Sequence, residues 1–489
     1  AFDKEANVSE SGVEAAAQAA RDAAAAVRTY VPGYPVTALG EALQAQIAVS
    51  EKVALEIALG ASATGLRSVV LVKQMGMNVL LDPLVISATH GIGSGLVVIA
   101  GDDLGPKGSQ TEMDCRYFGP LAKLPVLDPK DPAYLHASLM EAFSLSEHLR
   151  APVIVRVTAQ LLAAHGPPIQ PRPEKAPGQR LEREIWELTA KGRQQRHSEM
   201  TMASARQAAE SSVTNRLEIS GDIGIIASGR AAALAEGLGV SLLTIGYAYP
   251  LPERLVRRFI DGHRLVLVAE EPEPFIESHL AMSPRVRGKL SGHLPHGLLN
   301  RSDIISALEG LEERPARRPL VYESVAERGY EGICEGCPFA PLFSALAAVD
   351  VPVAGDAGCA IRASREPFAS VDMAYGLGSA AAVASGFAQK GIALLGDFAL
   401  AHSGLQGLIN AVWQKRDLLA VVIKNDVAAM TGGQPVPDLT AALQALLPVR
   451  RLHLPAPVEE VEELIREELA MPGPRAVVAE GMCAKKWKM

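Results

Sequence analysis

A layered α/β protein of several domains is the fold class this sequence predicts, and three observations carry the prediction. The chain is 489 residues long, enough for two to four domains that each bury a core. Short apolar runs that read as buried strands recur along it and alternate with stretches of helical spacing. Alanine and glycine are heavily used while aromatic residues make up only 4%, a balance that suits close packing of helices on sheets.

The opening segment to about Arg28 is alanine-rich and high in helix propensity. Tyr30–Ala38, YVPGYPVTA, reads as a strand end and turn leading into a helix from about Leu39, with Thr37 placed to cap it. Ile47–Gly60 has mixed apolar and small residues and carries two carboxylates, Glu51 and Glu56, which a helix would point in different directions. Ser68–Val72, Leu96–Ala100 and Pro152–Val157 are further strands. From His165 to about Asn215 the text turns proline-rich and then charged, which reads as a linker crossing the surface. A second α/β segment begins near Ile219 with the strand at 224–228. A further strand, RLVLVA, carries the acidic residues Glu270, Glu271 and Glu277 beyond its carboxyl end.

After a polar join at Glu312–Pro319 come CEGCPFAPLFSAL (334–346), GDAGC (355–359) and the small-residue helix YGLGSAAAVASGFA (375–388). The centre of the chain follows. An apolar run, Ile392–Leu395, stops at Gly396-Asp397. An amphipathic stretch, Ser403 to Gln414, has a serine placed as N-cap, and a second apolar run, Leu418–Ile423, ends at Lys424-Asn425. That is a βαβ unit, and ligands of open parallel sheets sit beyond the carboxyl ends of the strands. Asp397 and Asn425 both fall there, 425 − 397 = 28 residues apart. A carboxylate and an amide oxygen suit Mg²⁺, which completes its shell with phosphate oxygens. Gly396, Gly432 and Gly433 let backbone approach a diphosphate closely.

Composition excludes several classes. A net charge of −8 with scattered basic residues disfavours nucleic acid. No apolar run reaches membrane-spanning length, and the first residues lack the basic-then-apolar pattern of a secretory signal. Five cysteines, an odd number in a long chain, argue against a disulfide framework and for a reducing, cytoplasmic setting. The Cys334-x-x-Cys337 pair lacks the second pair a zinc site needs.

The Gly-Asp followed by an Asn about thirty residues on resembles the metal–diphosphate motif of thiamine-diphosphate enzymes. The fuller wording HSGLQGLINAV…NDVAAMTGGQP resembles the alpha subunit of indolepyruvate:ferredoxin oxidoreductase, and the likeness covers nearly the whole chain from Val31. The resemblance implies three α/β domains: a pyrimidine-binding domain over 1–165, a linker over 166–218, a middle domain over 219–315 and a diphosphate-binding domain over 316–489. It implies Mg²⁺ held by Asp397, Asn425 and the carbonyl of Val427, and thiamine diphosphate contacted by Gly355, Asp356, Cys359, Gly396, Met430 and Thr431. Ser50-Glu51 matches the family's Ser-Glu pair, making Glu51 rather than Glu56 the acid on the pyrimidine ring; a solvated first-turn glutamate is the plainer alternative. Thr37 matches a threonine beside substrate and cofactor. Arg116, with Asp114 and Gln110 to orient it, matches the arginine that takes the substrate carboxylate, where an ordinary Arg–Asp pair is the other reading. His402 matches a histidine that is either a proton relay near the reacting carbon or a packed side chain.

The activity implied is oxidative decarboxylation of an arylpyruvate-like 2-oxo acid, with coenzyme A as a co-substrate, in a homodimer with a second subunit or electron carrier. Three departures qualify this. Val36 and Ala38 change the substrate loop, and Gln74 replaces a histidine. The family's ferredoxin-like domain is missing, so no iron–sulfur cluster is expected here, the CxxC being read as packing at a helix start rather than as redox chemistry. A non-oxidative decarboxylase or carboligase is the alternative, and a thiamine-binding regulatory subunit the non-enzymatic one.

Overall fold

The computed structural model describes residues 10–106, 109–280, 282–313, 315 and 332–483. The chain divides into two compact units, Ala1–Pro319 and Leu320–Met489. Both are α/β, with mainly parallel sheets, as the strand-and-helix alternation predicts.

The first unit contains two large sheets. One is built from β1 (Val27–Tyr30), β2 (Gln46–Ile47), β3 (Ser68–Lys73), β4 (Leu96–Asp102), β5 (Val126–Leu127) and β6 (Val153–Thr158), in the order β5-β6-β4-β3-β1-β2. All these strands run parallel, and Tyr247–Tyr249 adds an antiparallel edge beside β5. The central strands are buried on both faces, which is why β3 and β4 read as near-continuous apolar runs rather than alternating ones. The crossovers include α1 (Glu51–Ala63) and α2 (Gln74–His90). The other sheet comprises β7 (Arg216–Glu218), β8 (Ile223–Ser228), β9 (Ser241–Ile245), β10 (Leu265–Ala269) and β11 (Val286–Arg287), ordered β11-β10-β8-β9-β7 with only β7 antiparallel. Between the two sheets, residues 167–181 carry no regular element, and then helices form at Ala190–Arg196 and Met202–Ser211. The second of these buries Met202, Ala205 and Ala209, an i, i+3, i+7 stripe inside text that composition alone reads as linker.

A buried ionic network joins the two sheets. Arg116 donates to Asp114 from Nε and Nη2 and to Glu270 Oε2 from Nη1 at 2.7 Å. Arg156 donates to Asp102 at 2.6 Å, to Asp128 at 3.1 Å and to the Glu271 carbonyl. Glu270 also accepts the Ile276 and Glu277 amides, capping α3 (Phe275–Leu280), as its acidic wording suggests.

The second unit carries one fully parallel sheet: β12 (Val353–Gly355), β13 (Met373–Ala374), β14 (Gly391–Gly396), β15 (Leu418–Lys424), β16 (Val449–His453) and β17 (Arg475–Glu480), ordered β13-β12-β14-β15-β17-β16. Its cores form on both faces. One is bulky, around Phe339, Phe343 and Val421. The other is alanine-rich, around Ala380, Ala381 and Ala384, so the helices there lie close to the sheet. Ser403 is not the N-cap its position suggests. The helix begins at Asp397, directly after β14, and passes through a π-turn at Leu400–Gly404 before ending at Trp413. The Ser403 hydroxyl instead donates to the Leu377 carbonyl at 2.9 Å. Among the described residues no helix is long and apolar enough to cross a membrane.

Candidate active site

In the second unit, β12, β14 and β15 end side by side, and each delivers a polar residue to the same end of the sheet: Asp356, Asp397 and Asn425. Asp397 Oδ1 accepts the Phe398 amide at 2.9 Å. Its Oδ2 accepts the Asn425 and Asp426 amides at 3.1 and 2.7 Å. Asn425 Oδ1 accepts the Val427 amide at 3.2 Å. Val427 itself pairs with Pro435, a residue with no N–H to offer its carbonyl. Asp356 Oδ2 accepts the Gly396 amide at 3.2 Å, so the two aspartates flank one backbone step.

Burial pushes the Asp397 carboxyl up to about 6, against three opposing backbone hydrogen bonds. Burial and the neighbouring Asp397 push Asp356 up to about 7. Two adjacent buried carboxylates held above their usual range mark a deficit of positive charge. The oxygen donors, the open space over Gly396 and the positive-φ Gly432 (+128°) fit a divalent cation with a diphosphate. Among the described residues no three His, Cys, Asp or Glu side chains close around a single ion, so protein donors alone do not complete a metal shell.

These two groups set a pH dependence. Their folded-state values lie above the ordinary carboxylate value, so they favour the folded chain most at low pH, and that contribution is lost as pH rises through about 6 to 7. The cost to the ligand-free fold at neutral pH is on the order of 3–4 kcal/mol for each. The melting temperature of ligand-free protein is therefore expected to fall, relative to an Asp356→Asn variant, between about pH 4 and pH 7. Saturating Mg²⁺ and thiamine diphosphate should close the gap; a gap that persists with both present sinks the assignment.

His402 sits half-buried in the π-turn, its Nδ1 3.2 Å from the Ser403 hydroxyl. Thr431 donates to Gln434 Oε1 at 2.8 Å, and Met430 is exposed. Gly355 is held tight by Val371 and Ala360.

In the first unit, Glu51 opens α1 and is buried, with Ser50 as N-cap. Glu56 lies on the exposed face, paired with Lys52 at 3.0 Å. Glu51 lies against Gly76 so closely that a Cβ there would stand 2.6 Å from its Oε1. Thr37 does not cap a helix. Its Oγ1 accepts the Gly33 amide at 2.9 Å and clasps the 33–37 turn. That turn lies across the ends of β3 and β4: Gly33 rests on the Lys73 stem and Val36 on Gly101. Gln74, the replacement for histidine, donates to the Thr111 carbonyl at 2.7 Å and accepts the Asp103 amide, tying down the loop after β4.

Arg116 is placed otherwise than a carboxylate-binding role requires. It is fully buried, and all three guanidinium nitrogens are engaged, Nη2 also donating to the Glu273 carbonyl at 2.9 Å. A cleft of about 310 Å³ opens beside it, lined by Asn78, Met113, Tyr117, Leu121 and Glu273 but not by the guanidinium.

Four cysteines of the second unit converge, which residue-by-residue reading misses. The Cys337 amide donates to the Cys334 carbonyl at 3.1 Å, closing the CxxC turn. Cys359 opens the helix Cys359–Ala363 and shares a core with Cys337. Cys483 follows Gly481, which packs on the Phe339 ring. All four are free thiols. Burial, then the neighbouring Cys337 and Cys483 thiols, push Cys359 up to about 12. The signal available in the sequence was the pairing of the CxxC with two distant cysteines at strand ends.

Residues 356–447 match the family model described as "Thiamine pyrophosphate enzyme, C-terminal TPP binding domain", the stretch that holds Asp356, Asp397 and Asn425. A 2-oxoglutarate:ferredoxin oxidoreductase structure from Magnetococcus marinus, with 2-oxoglutarate, coenzyme A and succinyl-CoA bound, shares the fold: TM-score 0.50 at 16% identity over 62% of this chain and 64% of that one. The matched stretch and the shared fold define an α/β protein with a thiamine-pyrophosphate-binding domain. Indolepyruvate oxidoreductase subunit IorA of Methanothermobacter thermautotrophicus is 32% identical over 93% of this chain and 79% of the relative, and that of Archaeoglobus fulgidus 30% over 97% and 86%. The chain belongs to the IorA family of indolepyruvate oxidoreductase subunits.

Proposed function

We propose that this chain is the catalytic subunit of a Mg²⁺- and thiamine-diphosphate-dependent oxidoreductase that decarboxylates an arylpyruvate-like 2-oxo acid, with coenzyme A taking the acyl product. The adjacent buried carboxylates Asp356 and Asp397 at the strand ends, with Asn425 beside them, carry this reading. Asp397, Asn425 and the Val427 carbonyl would hold Mg²⁺, and Gly355, Asp356, Cys359, Gly396, Met430 and Thr431 would contact the diphosphate. The bound cofactor's thiazolium ring supplies the electron sink that decarboxylation needs. Glu51 would be the acid that holds a proton for the cofactor's pyrimidine ring, its carboxylate kept in place by packing against Gly76. Thr37 presents the substrate loop, and His402 stands by as a proton relay. We reassign Arg116 from substrate binding to holding the 114–116 turn against Glu270. We place three domains at the bounds read from the sequence, with Arg216–Glu218 joining the middle domain's sheet, in a cytoplasmic homodimer that works with a second subunit or an electron carrier.

The cysteines extend the reading. Cys334, Cys337, Cys359 and Cys483 suit a four-thiolate iron–sulfur cluster, whose ligands stand at the corners of a cube rather than around one ion. Such a cluster would accept single electrons within this subunit. This replaces the expectation, drawn from the missing ferredoxin-like domain, that the chain binds none. Anaerobic reconstitution should leave iron and acid-labile sulfide on the wild-type chain and little on Cys359→Ser. Zinc alone, or no metal, would count against it.

The decisive assay is anaerobic incubation with thiamine diphosphate, Mg²⁺ and an arylpyruvate, with and without a one-electron dye and coenzyme A. CO₂ release that depends on the dye is the expected result. Aldehyde formed without any acceptor would make the protein a non-oxidative decarboxylase instead.

A further inference from the structure

The saturation of Arg116 leaves a 2-oxo acid without its cation, and the structure offers another beside Glu51. Lys73 ends β3, and its stem lies directly beneath the turn that Thr37 clasps, its Cδ 2.9 Å from where a Gly33 Cβ would stand. The charges that act on the amine are those of Glu51 and Asp103. Yet it donates no hydrogen bond and closes no ion pair with any described residue, unlike the guanidinium of Arg116 or the amine of Lys130. Tyr34, on the same turn, also feels the Asp103 charge. A positioned, partly buried cation with its donors unspent is unusual, because burying an ammonium is costly unless something pairs with it. Burial holds the Lys73 amine below its ordinary value, with the Glu51 and Asp103 charges opposing that fall.

We propose that Lys73 receives the carboxylate of the 2-oxo acid, under the Gly33–Thr37 turn. The role rests on the function proposed above. It places the substrate's carboxylate at the end of β3 and its 2-oxo carbon toward the turn that carries Thr37. The departures Val36 and Ala38 then border the same pocket, where they shape which side chain is admitted.

Two measurements test this separately from the overall function. In the first, wild type, Lys73→Gln and Lys73→Arg are assayed with an arylpyruvate and with the corresponding arylacetaldehyde, which lacks the carboxylate, using a one-electron dye. Deleting a charge-assisted contact predicts a rise of about 10- to 100-fold in KM for the arylpyruvate in Lys73→Gln. Partial recovery in Lys73→Arg and aldehyde oxidation within about twofold of wild type are also expected, on the same contact arithmetic. Equal loss with both substrates would overturn the proposal. The second measurement needs no turnover. Cofactor-free wild type is acetylated at neutral pH and Lys73 modification is read by mass spectrometry with and without arylpyruvate. Protection of Lys73 by the arylpyruvate but not by the aldehyde is expected; equal labelling in all arms would overturn the assignment even if the chain proved to be a decarboxylase.

Discussion

Arg116→Met is expected to destabilise the protein by about 3–5 kcal/mol, the cost of removing one partner from a buried ionic cluster. The side chain is fully buried, and its loss would take from Glu270 the ion pair it makes and leave Asp114 with only Arg156, 4.0 Å away. Burial already raises Glu270, with the Arg116 charge opposing that rise, so the carboxylate depends on this partner. Lysine offers one point charge in place of a fork that reaches two carboxylates and the Glu273 carbonyl, so Arg116→Lys should recover only part of the loss. Neutralising the acids in the same background, with Asp114→Asn and Glu270→Gln, should recover more than lysine does. Guanidinium unfolding of the four proteins reads these differences. If Arg116→Met left stability within about 1 kcal/mol of wild type and raised KM instead, the arginine would return to the substrate.

The contrast between Arg116 and Asp397 shows what a sequence exposes. Asp397 was legible because local text fixes its surroundings: an apolar run, a glycine, the acid, then a helix, with Asn425 at the next strand end. Short-range order of this kind survives in the βαβ unit itself. Arg116 was misplaced because its partners come from far along the chain, Glu270 lying 154 residues away. No periodicity or spacing reports that a guanidinium is already occupied. The gathering of the cysteines was hidden for the same reason, since Cys359 and Cys483 come near the CxxC only through the fold. Ser403 failed differently. Its position before an amphipathic stretch is a sound cap signal, but the helix had already begun at Asp397, whose carboxylate takes the first amide. The helix Met202–Ser211 was hidden by proline-rich and charged text ahead of it, although its alanine stripe was present.

Glu51→Gln should lower turnover of the loaded enzyme by roughly 10²- to 10⁴-fold while leaving the fold intact, because an amide accepts and donates hydrogen bonds but does not trade a proton at neutral pH. The size of that loss distinguishes a catalyst from a packing residue only if the structure around it is undisturbed, and Gly76 provides the control. A methyl at Gly76 would stand 2.6 Å from Glu51 Oε1 and Cγ, and both belong to a flexible side chain rather than to backbone. Gly76→Ala should therefore turn the whole Glu51 side chain aside, since Cγ as well as Oε1 must move, at a packing cost that the preference of α2 for alanine, roughly 1 kcal/mol at most, offsets in part. The expected pair of results is a large fall in turnover from both variants, with melting temperatures within a few degrees of wild type. Glu56→Gln, on the exposed face of the same helix, should change neither quantity. If Gly76→Ala kept full activity, the carboxylate would not need its present position. If Glu51→Gln did too, the acid on the pyrimidine ring would have to be sought elsewhere in the chain.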